Sequence, residues 1–240
     1  MAGPEKMSRI KPYYELKFLT TLKQAIELER IIGRFCVPDQ NGVDGFYDIL
    51  SIYFDTPDLK FYHDKINGEF NKKKVRLRAY RAGKGNWHSF ALEQKRRSGN
   101  LVSKSRKNLS LPNLKNFTEN RDLNESLKQF AALLQPVTTV FYRRKAWISP
   151  ENFGLRFTFD HEFASFSPQL LNNFADVDLP TLAILHNQPI IFEIKSYTGI
   201  PQSLWQSLRN LQIEQISYSK YATAVQHQFF QSRPSFSSSW

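Results

Sequence analysis

Charged residues in this chain recur two positions apart, in short runs whose intervening positions are apolar. Glu15-x-Lys17, Arg76-x-Arg78, Glu93-x-Lys95, Lys104-x-Arg106 and Glu193-x-Lys195 keep this spacing, as does Arg156-x-Thr158-x-Asp160, and Arg144 follows Tyr142 in the same way. Residues i and i+2 of an extended strand share a face, so each run separates charge from apolar surface. Arg76 and Arg78 oppose Val75 and Leu77; Arg156 opposes Leu155 and Phe157; Glu193 and Lys195 oppose Phe192 and Ile194. The run at Lys104 and Arg106 is the weakest, because Val102 shares its parity. Arginine offers a planar fork that matches phosphate oxygens, and lysine a compact point charge. A mixture of the two suits a row of phosphates.

The elements that must position these side chains follow from patterning. Strands are predicted at 13–19, 48–54, 74–81, 89–95, 101–109, 138–148, 155–163 and 189–197. Turn residues at Gly83-Lys84-Gly85-Asn86 and Ser98-Gly99-Asn100 fold three of them into an antiparallel meander, and Ser149-Pro150-Glu151-Asn152 turns a later pair. Apolar residues at helical spacing predict helices over 20–35, 122–134, 203–211 and 217–229, while 38–45 and 165–188 read as irregular. One domain is expected over 9–225, followed by a C-terminal tail over 226–240 that frays toward its Ser-rich end.

Any one such strand reads most simply as half of a sandwich, charged face to water. Repetition across many strands, with amphipathic helices that need an apolar surface, favours a closed sheet whose charges point inward. The expected fold is α+β: an antiparallel closed β-barrel of about eight strands, a tunnel, with helices packed on the outside. Its interior would hold Lys17, Arg76, Arg78, Lys95, Lys104, Arg106, Arg144, Arg156 and Lys195 against few carboxylates. Such a lining repels itself when empty, and an elongated polyanion relieves it.

Composition agrees. Lys and Arg number 33 against 22 Asp and Glu, a net charge of +11, so an anionic partner is expected. The single cysteine, Cys36, excludes an internal disulfide framework and fits a reducing compartment; the five scattered histidines lack zinc-ligand spacing, which leaves carboxylates to hold any metal. No apolar run suits a signal peptide or approaches the roughly 20 residues of a membrane span, so a cytoplasmic location is expected. Trp147 and Trp205 read as packing residues, and Lys72, Lys73, Arg96, Arg97 and Lys107 as solvated flanks of the tunnel mouth.

Nine segments, in order, carry a resemblance. Tyr14-Glu15-Leu16-Lys17, the stretch from Ser51 to Pro57, the stretch from Lys74 to Tyr80, and Leu92-Glu93-Gln94-Lys95 are followed by Lys104-Ser105-Arg106 and Tyr142-Arg143-Arg144. The stretch from Leu155 to Asp160, Phe192-Glu193-Ile194-Lys195 and Tyr218-Ser219-Lys220-Tyr221 complete the set. Together they resemble the VTC polyphosphate polymerase domains of the CYTH, or triphosphate tunnel metalloenzyme, superfamily. The resemblance implies transfer of the γ-phosphoryl of ATP onto a growing polyphosphate chain with Mn²⁺ or Mg²⁺. It implies phosphate contacts from Lys17, Arg76, Arg78, Lys95, Lys104, Arg144, Arg156 and Lys220, with Glu193 as the metal ligand; Arg106 and Lys195 join the phosphate set by strand parity. The catalytic set is then Lys17, Arg76, Arg78, Lys95, Arg144, Arg156 and Glu193. Eukaryotic relatives add a regulatory domain and membrane spans, so a membrane-protein partner is the expected route to translocation.

Two departures bear on direction. Hydrolases of the superfamily tend to open on a Glu-x-Glu-x-Lys strand, and here the first position is Tyr13; likewise Ile191 precedes Glu193 where a second carboxylate could stand. Fewer carboxylates position a metal and an attacking water less well, which favours polymerase over a tripolyphosphate or nucleoside triphosphate phosphohydrolase. The remaining alternatives are a non-catalytic polyphosphate-binding domain and a nucleic-acid-binding module. The latter would want its cations on an open surface.

Overall fold

The computed structural model describes residues 8–83, 85–99, 101–109, 127–128, 133–151, 154–168, 190–197 and 199–230. Nine strands make one sheet: β1 (Ser8–Thr20), β2 (Val37–Pro38), β3 (Phe46–Asp55), β4 (Asn71–Arg81), β5 (His88–Ser98), β6 (Leu101–Asn108), β7 (Gln135–Ile148), β8 (Arg156–Phe166) and β9 (Ile190–Ser196). Eight run in the order β7-β3-β4-β5-β6-β1-β9-β8, and β8 pairs back onto β7, closing an antiparallel barrel. The short β2 adds to β7 through Val37 opposite Ile148. Closure leaves those eight strands without an open edge.

Among the described residues four α-helices accompany the barrel: α1 (Leu22–Ile32), α2 (Lys60–Ile66), α3 (Gln202–Asn210) and α4 (Lys220–Val225). In α1 a capping box closes the N-terminus, Gln24 N–H donating to Thr21 Oγ1 and Thr21 N–H to Gln24 Oε1. Its buried residues Ala25, Leu28 and Ile32 fall at helical spacing and meet the outward faces of β8 and β9 through Phe157, Phe159 and Phe192, with Leu204 and Leu208 of α3 beside them. A second core joins Leu50, Ile52, Val75, Leu77 and Leu92 to Phe61 of α2. Trp147 and Trp205 pack at the rim of the first core, as packing residues should.

The sequence reading assigns no element to α2, whose seven residues are too few for a periodic signal. Its cause lies elsewhere: the fully buried Asp55 carboxylate accepts from the backbone N–H groups of Phe61 and Tyr62, both at 2.9 Å, and Thr56 Oγ1 from that of Lys60 at 3.0 Å. The fourth helix differs from the other three in position. It packs on inward-facing Tyr53, Val140 and Tyr142, with the Tyr221 ring stacked on Tyr53 at 5.1 Å, and so reaches the barrel interior. A π turn over Gln226–Phe230 carries it past the domain boundary expected at 225. The helix expected over 122–134, the irregular stretch over 165–188 and the Ser-rich end fall largely outside the described residues.

Phe192 tests the outward assignment. It is fully buried among Phe18, Phe157 and Phe159, on the opposite face from Glu193. Phe192→Ala is expected to lower unfolding free energy by about 3–5 kcal/mol in chemical denaturation. Tripolyphosphate affinity of the folded fraction should stay within about twofold, because no side chain facing the tunnel is removed.

A cation-lined tunnel as the candidate site

The barrel interior encloses a cavity of about 510 Å³. Every residue assigned to phosphate binding from the sequence lines it: Lys17 of β1, Arg76 and Arg78 of β4, Lys95 of β5, Lys104 and Arg106 of β6, Arg144 of β7, Arg156 of β8, Lys195 of β9 and Lys220 of α4. Arg78, Arg144 and Lys220 are buried outright. Glu193, the expected metal ligand, lines the same space. Parity therefore predicted the inward faces correctly, including the Lys104 and Arg106 run. Lys74, to which the sequence reading gives no site role, also lines the cavity.

Carboxylates divide this charge into clusters. Glu93 draws Arg76 at 2.9 Å, Arg106 at 3.7 Å, Arg78 at 3.9 Å, and Lys104. Glu193 draws Lys195 at 3.0 Å, Lys17 at 3.2 Å, and Arg144 and Lys220 at 3.4 Å. Asp160 takes two hydrogen bonds from Arg144, at 2.5 and 2.7 Å, and one from Lys220 at 2.5 Å. Glu15 pairs with Lys95, and Asp39 with Arg156. Ten of the eleven lining cations thus pair with five carboxylates, Lys74 being the exception among the described residues, and the surplus is positive. Tyrosines help to fix the forks: Arg78 donates to Tyr142 Oη at 2.9 Å and to Ser51 Oγ at 3.3 Å, and Arg76 to Tyr53 Oη at 3.2 Å.

Asp160 is a residue whose importance the sequence did not disclose. It lies opposite Ile191 in the β8–β9 pair, so a neighbouring strand brings a carboxylate to the place where β9 has none. Only strand order could reveal that. Both oxygens of Asp160 are already bonded to Arg144 and Lys220, so its present work is to hold those two cations.

The protonation states follow from this crowding. Burial opposes the charge on Glu193, but Lys17, Lys195, Lys220 and Arg144 outweigh it and hold the carboxyl well below its ordinary range. Glu93 is held down the same way, against burial, by Arg76, Arg78 and Lys104. Burial lowers the Lys104 amine to about 8 despite Glu93, and the Lys195 amine to about 7 despite Glu193. Lys74 is driven well below its ordinary value by burial and by Lys17 and Lys95. Lys220 goes the other way, since Asp160 and Glu193 overcome its burial.

Among the described residues no group of three or more His, Cys, Asp or Glu is placed to hold a metal. Glu193 has a carboxylate diagonal to it on each neighbouring strand, Glu15 of β1 and Asp160 of β8. Mg²⁺-like ions take one or two carboxylates together with phosphate oxygens and water. That donor set fits a metal that arrives with a phosphate chain. It does not fit a metal caged by protein alone.

A closed antiparallel barrel with Lys and Arg pointing into its bore defines the fold as a cation-lined tunnel. The model of the VTC domain matches residues 12–229, and the chain belongs to the VTC domain family. No curated protein matches the sequence. Among solved structures, a Bacillus halodurans protein provisionally assigned as an adenylate cyclase is similar at a TM-score of 0.53 and 15% identity, over 92% of this chain and 100% of its own. A Pyrococcus horikoshii protein is similar at 0.49 and 13%, over 89% and 95%. A Hippeastrum protein, provisionally an adenylyl cyclase and described as having a dominant triphosphatase activity, is similar at 0.46 and 13%, over 90% and 95%.

Depressed lysines make two pH effects measurable. Above pH 7 the unfolded chain keeps protons on Lys195 and Lys104 that the folded, empty protein loses, so stability conferred by these two groups rises with pH toward the ordinary lysine range. A bound polyanion restores the charged amines. Calorimetry at about pH 8 in buffers of differing ionisation heat should show proton uptake on tripolyphosphate binding, and Lys195→Met should remove much of it.

Proposed function

We propose that this chain is a polyphosphate polymerase, transferring the γ-phosphoryl of ATP onto a growing polyphosphate chain inside the barrel. The observation that carries this reading is the convergence of eleven cations, from seven strands and a helix, on one bore with a positive surplus. A polyanion threading that bore offsets their repulsion along its whole length. A nucleic-acid groove would instead need the cations on an open surface, and Arg78, Arg144 and Lys220 are buried.

In the transfer, a terminal oxygen of the acceptor chain attacks the γ-phosphorus, the bond from that phosphorus to the β–γ bridging oxygen breaks, and ADP leaves with the electron pair. The attacking oxygen is already ionised, so no general base is needed. What remains is alignment of donor and acceptor and neutralisation of charge on the equatorial oxygens, which fixed Arg and Lys groups perform. Arg76 and Arg78, braced by Tyr53, Ser51 and Tyr142, and Arg144, braced by Asp160, present forks whose directions are set before substrate enters. Glu193 would hold the divalent ion, which would supply further charge neutralisation. Mn²⁺ or Mg²⁺ is the expected ion.

Hydrolysis would require a carboxylate available to orient water. Tyr13 occupies one such position, its phenol held protonated by burial and by Glu15, and Asp160 is saturated by Arg144 and Lys220. Both observations favour transfer to phosphate over transfer to water.

Incubation with ATP and Mn²⁺, resolved by gel for polyphosphate and by assay for free phosphate, tests the reading: polyphosphate is expected, and phosphate alone would replace polymerase by hydrolase. Glu193→Gln should cut turnover by about 10²–10³-fold while tripolyphosphate binding survives, since the cations remain. Affinity should rise with phosphate number and fall with salt, and equal affinity for orthophosphate and tripolyphosphate would overturn the proposal.

A further inference from the structure

The β4–β5 pair carries cation opposite cation on three successive rungs. Lys74 faces Lys95, Lys73 faces Arg96 and Lys72 faces Arg97, whereas the next inward rung, Arg76 opposite Glu93, is compensated. Like charges directly opposite one another destabilise a sheet. By parity the 72/97 rung points the same way as 74/95 and 76/93, so a line of cations leaves the central cavity along this strand pair. It ends in a smaller cavity of about 40 Å³ at one mouth, lined by Lys65, Lys72 and Arg97 and sharing Glu15, Lys17, Lys74 and Lys95 with the central one.

The donors of this mouth are held by neutral oxygens. Lys65 Nζ donates to Ser217 Oγ at 2.9 Å, Arg97 Nε to the Gly99 carbonyl at 2.8 Å, Lys72 Nζ to the Glu69 carbonyl, and Lys74 Nζ to Ser219 Oγ at 2.7 Å. Among the described residues none of these four has a carboxylate within salt-bridge distance, and Glu15, the one acid of the cavity, is committed to Lys95. Lys65 and Lys74 sit below their ordinary values, each by burial first and neighbouring cations second. The other reach of the central cavity differs: Tyr13, Tyr47, Tyr80, Tyr197 and Asn41 line it, and its Arg156 is paired with Asp39.

We propose that Lys65, Lys72 and Arg97 form a second anion site, taking the phosphates of a linear polyphosphate that extend beyond the central cavity. The two ends of the passage then have different partners. A chain with a charge on every phosphate gains most at the uncompensated mouth, and a nucleoside, with one base and one ribose, at the tyrosine-rich end. This rests on the polymerase reading only for the identity of the long anion. The solvated flanks inferred from sequence for Lys72 and Arg97 become part of a track.

Equilibrium binding without turnover tests it. Tripolyphosphate and a linear polyphosphate several times longer are titrated into the full chain and into a Lys65→Ala/Lys72→Ala/Arg97→Ala variant, in low and moderate salt. The wild type is expected to bind the longer chain about tenfold or more tighter per molecule, and the variant to lose most of that gain and part of the salt slope while tripolyphosphate affinity holds within about twofold. The variant should also unfold at an equal or higher temperature, since a repelling rung has been removed. Lys72→Arg/Arg97→Lys, which keeps the charge, should retain the gain. Equal loss for both ligands, or an unchanged gain in the variant, overturns the second site. Failure of the wild type to bind tripolyphosphate at all would overturn the polymerase reading instead.

Discussion

Enclosing more positive than negative charge inside a closed barrel is the constraint on which the rest of this structure depends. Each buried Lys or Arg gives up hydration, and each neighbour of like sign adds repulsion. The chain meets that cost in two ways. Three carboxylates each serve several cations, Glu93 and Glu193 drawing four apiece and Asp160 two. The amines of Lys74, Lys104 and Lys195 are held below the ordinary lysine range, so part of the burial cost is met by weaker protonation. The surplus that remains is what an incoming polyanion sees.

That electrostatic design depends on the packing outside it. Cations can point inward on successive strands only if apolar faces point outward and are covered, which α1, α2 and α3 accomplish through the Phe157, Phe159, Phe192 and Val75, Leu77, Leu92 surfaces. The fourth helix does a different job. Anchored by Tyr221, which donates to the buried Asp55 at 2.5 Å and stacks on Tyr53, it delivers Lys220 to Asp160 and Glu193 from inside the barrel. Asp55 thus joins two helices: it caps α2 and tethers α4.

The division of carboxylate labour bears on the chemistry. A carboxylate surrounded by four cations cannot also cage a metal by itself, and a carboxylate doubly bonded to arginine cannot orient water. Both conditions push the site toward holding phosphate oxygens and away from activating a solvent molecule.

Alternation of charge and apolar residues was enough to determine which faces of β4, β7, β8 and β9 line the bore, because a strand's side-chain period is fixed at two. The net charge of +11 and the single cysteine likewise stand in the sequence without reference to fold. Several features arose only from tertiary structure. Asp160 stands beside the gap at Ile191 because β8 and β9 are neighbours, a matter of strand order. The like-charged rungs of Lys72, Lys73 and Lys74 exist because the register of β4 on β5 sets them against Arg97, Arg96 and Lys95, and a register is a relation between segments. The short α2 forms because Asp55, from the preceding strand, caps it, so its stability is tertiary and leaves no periodic mark. A local pattern fixes where a side chain points relative to its own strand, and only the closed sheet decides what it meets there.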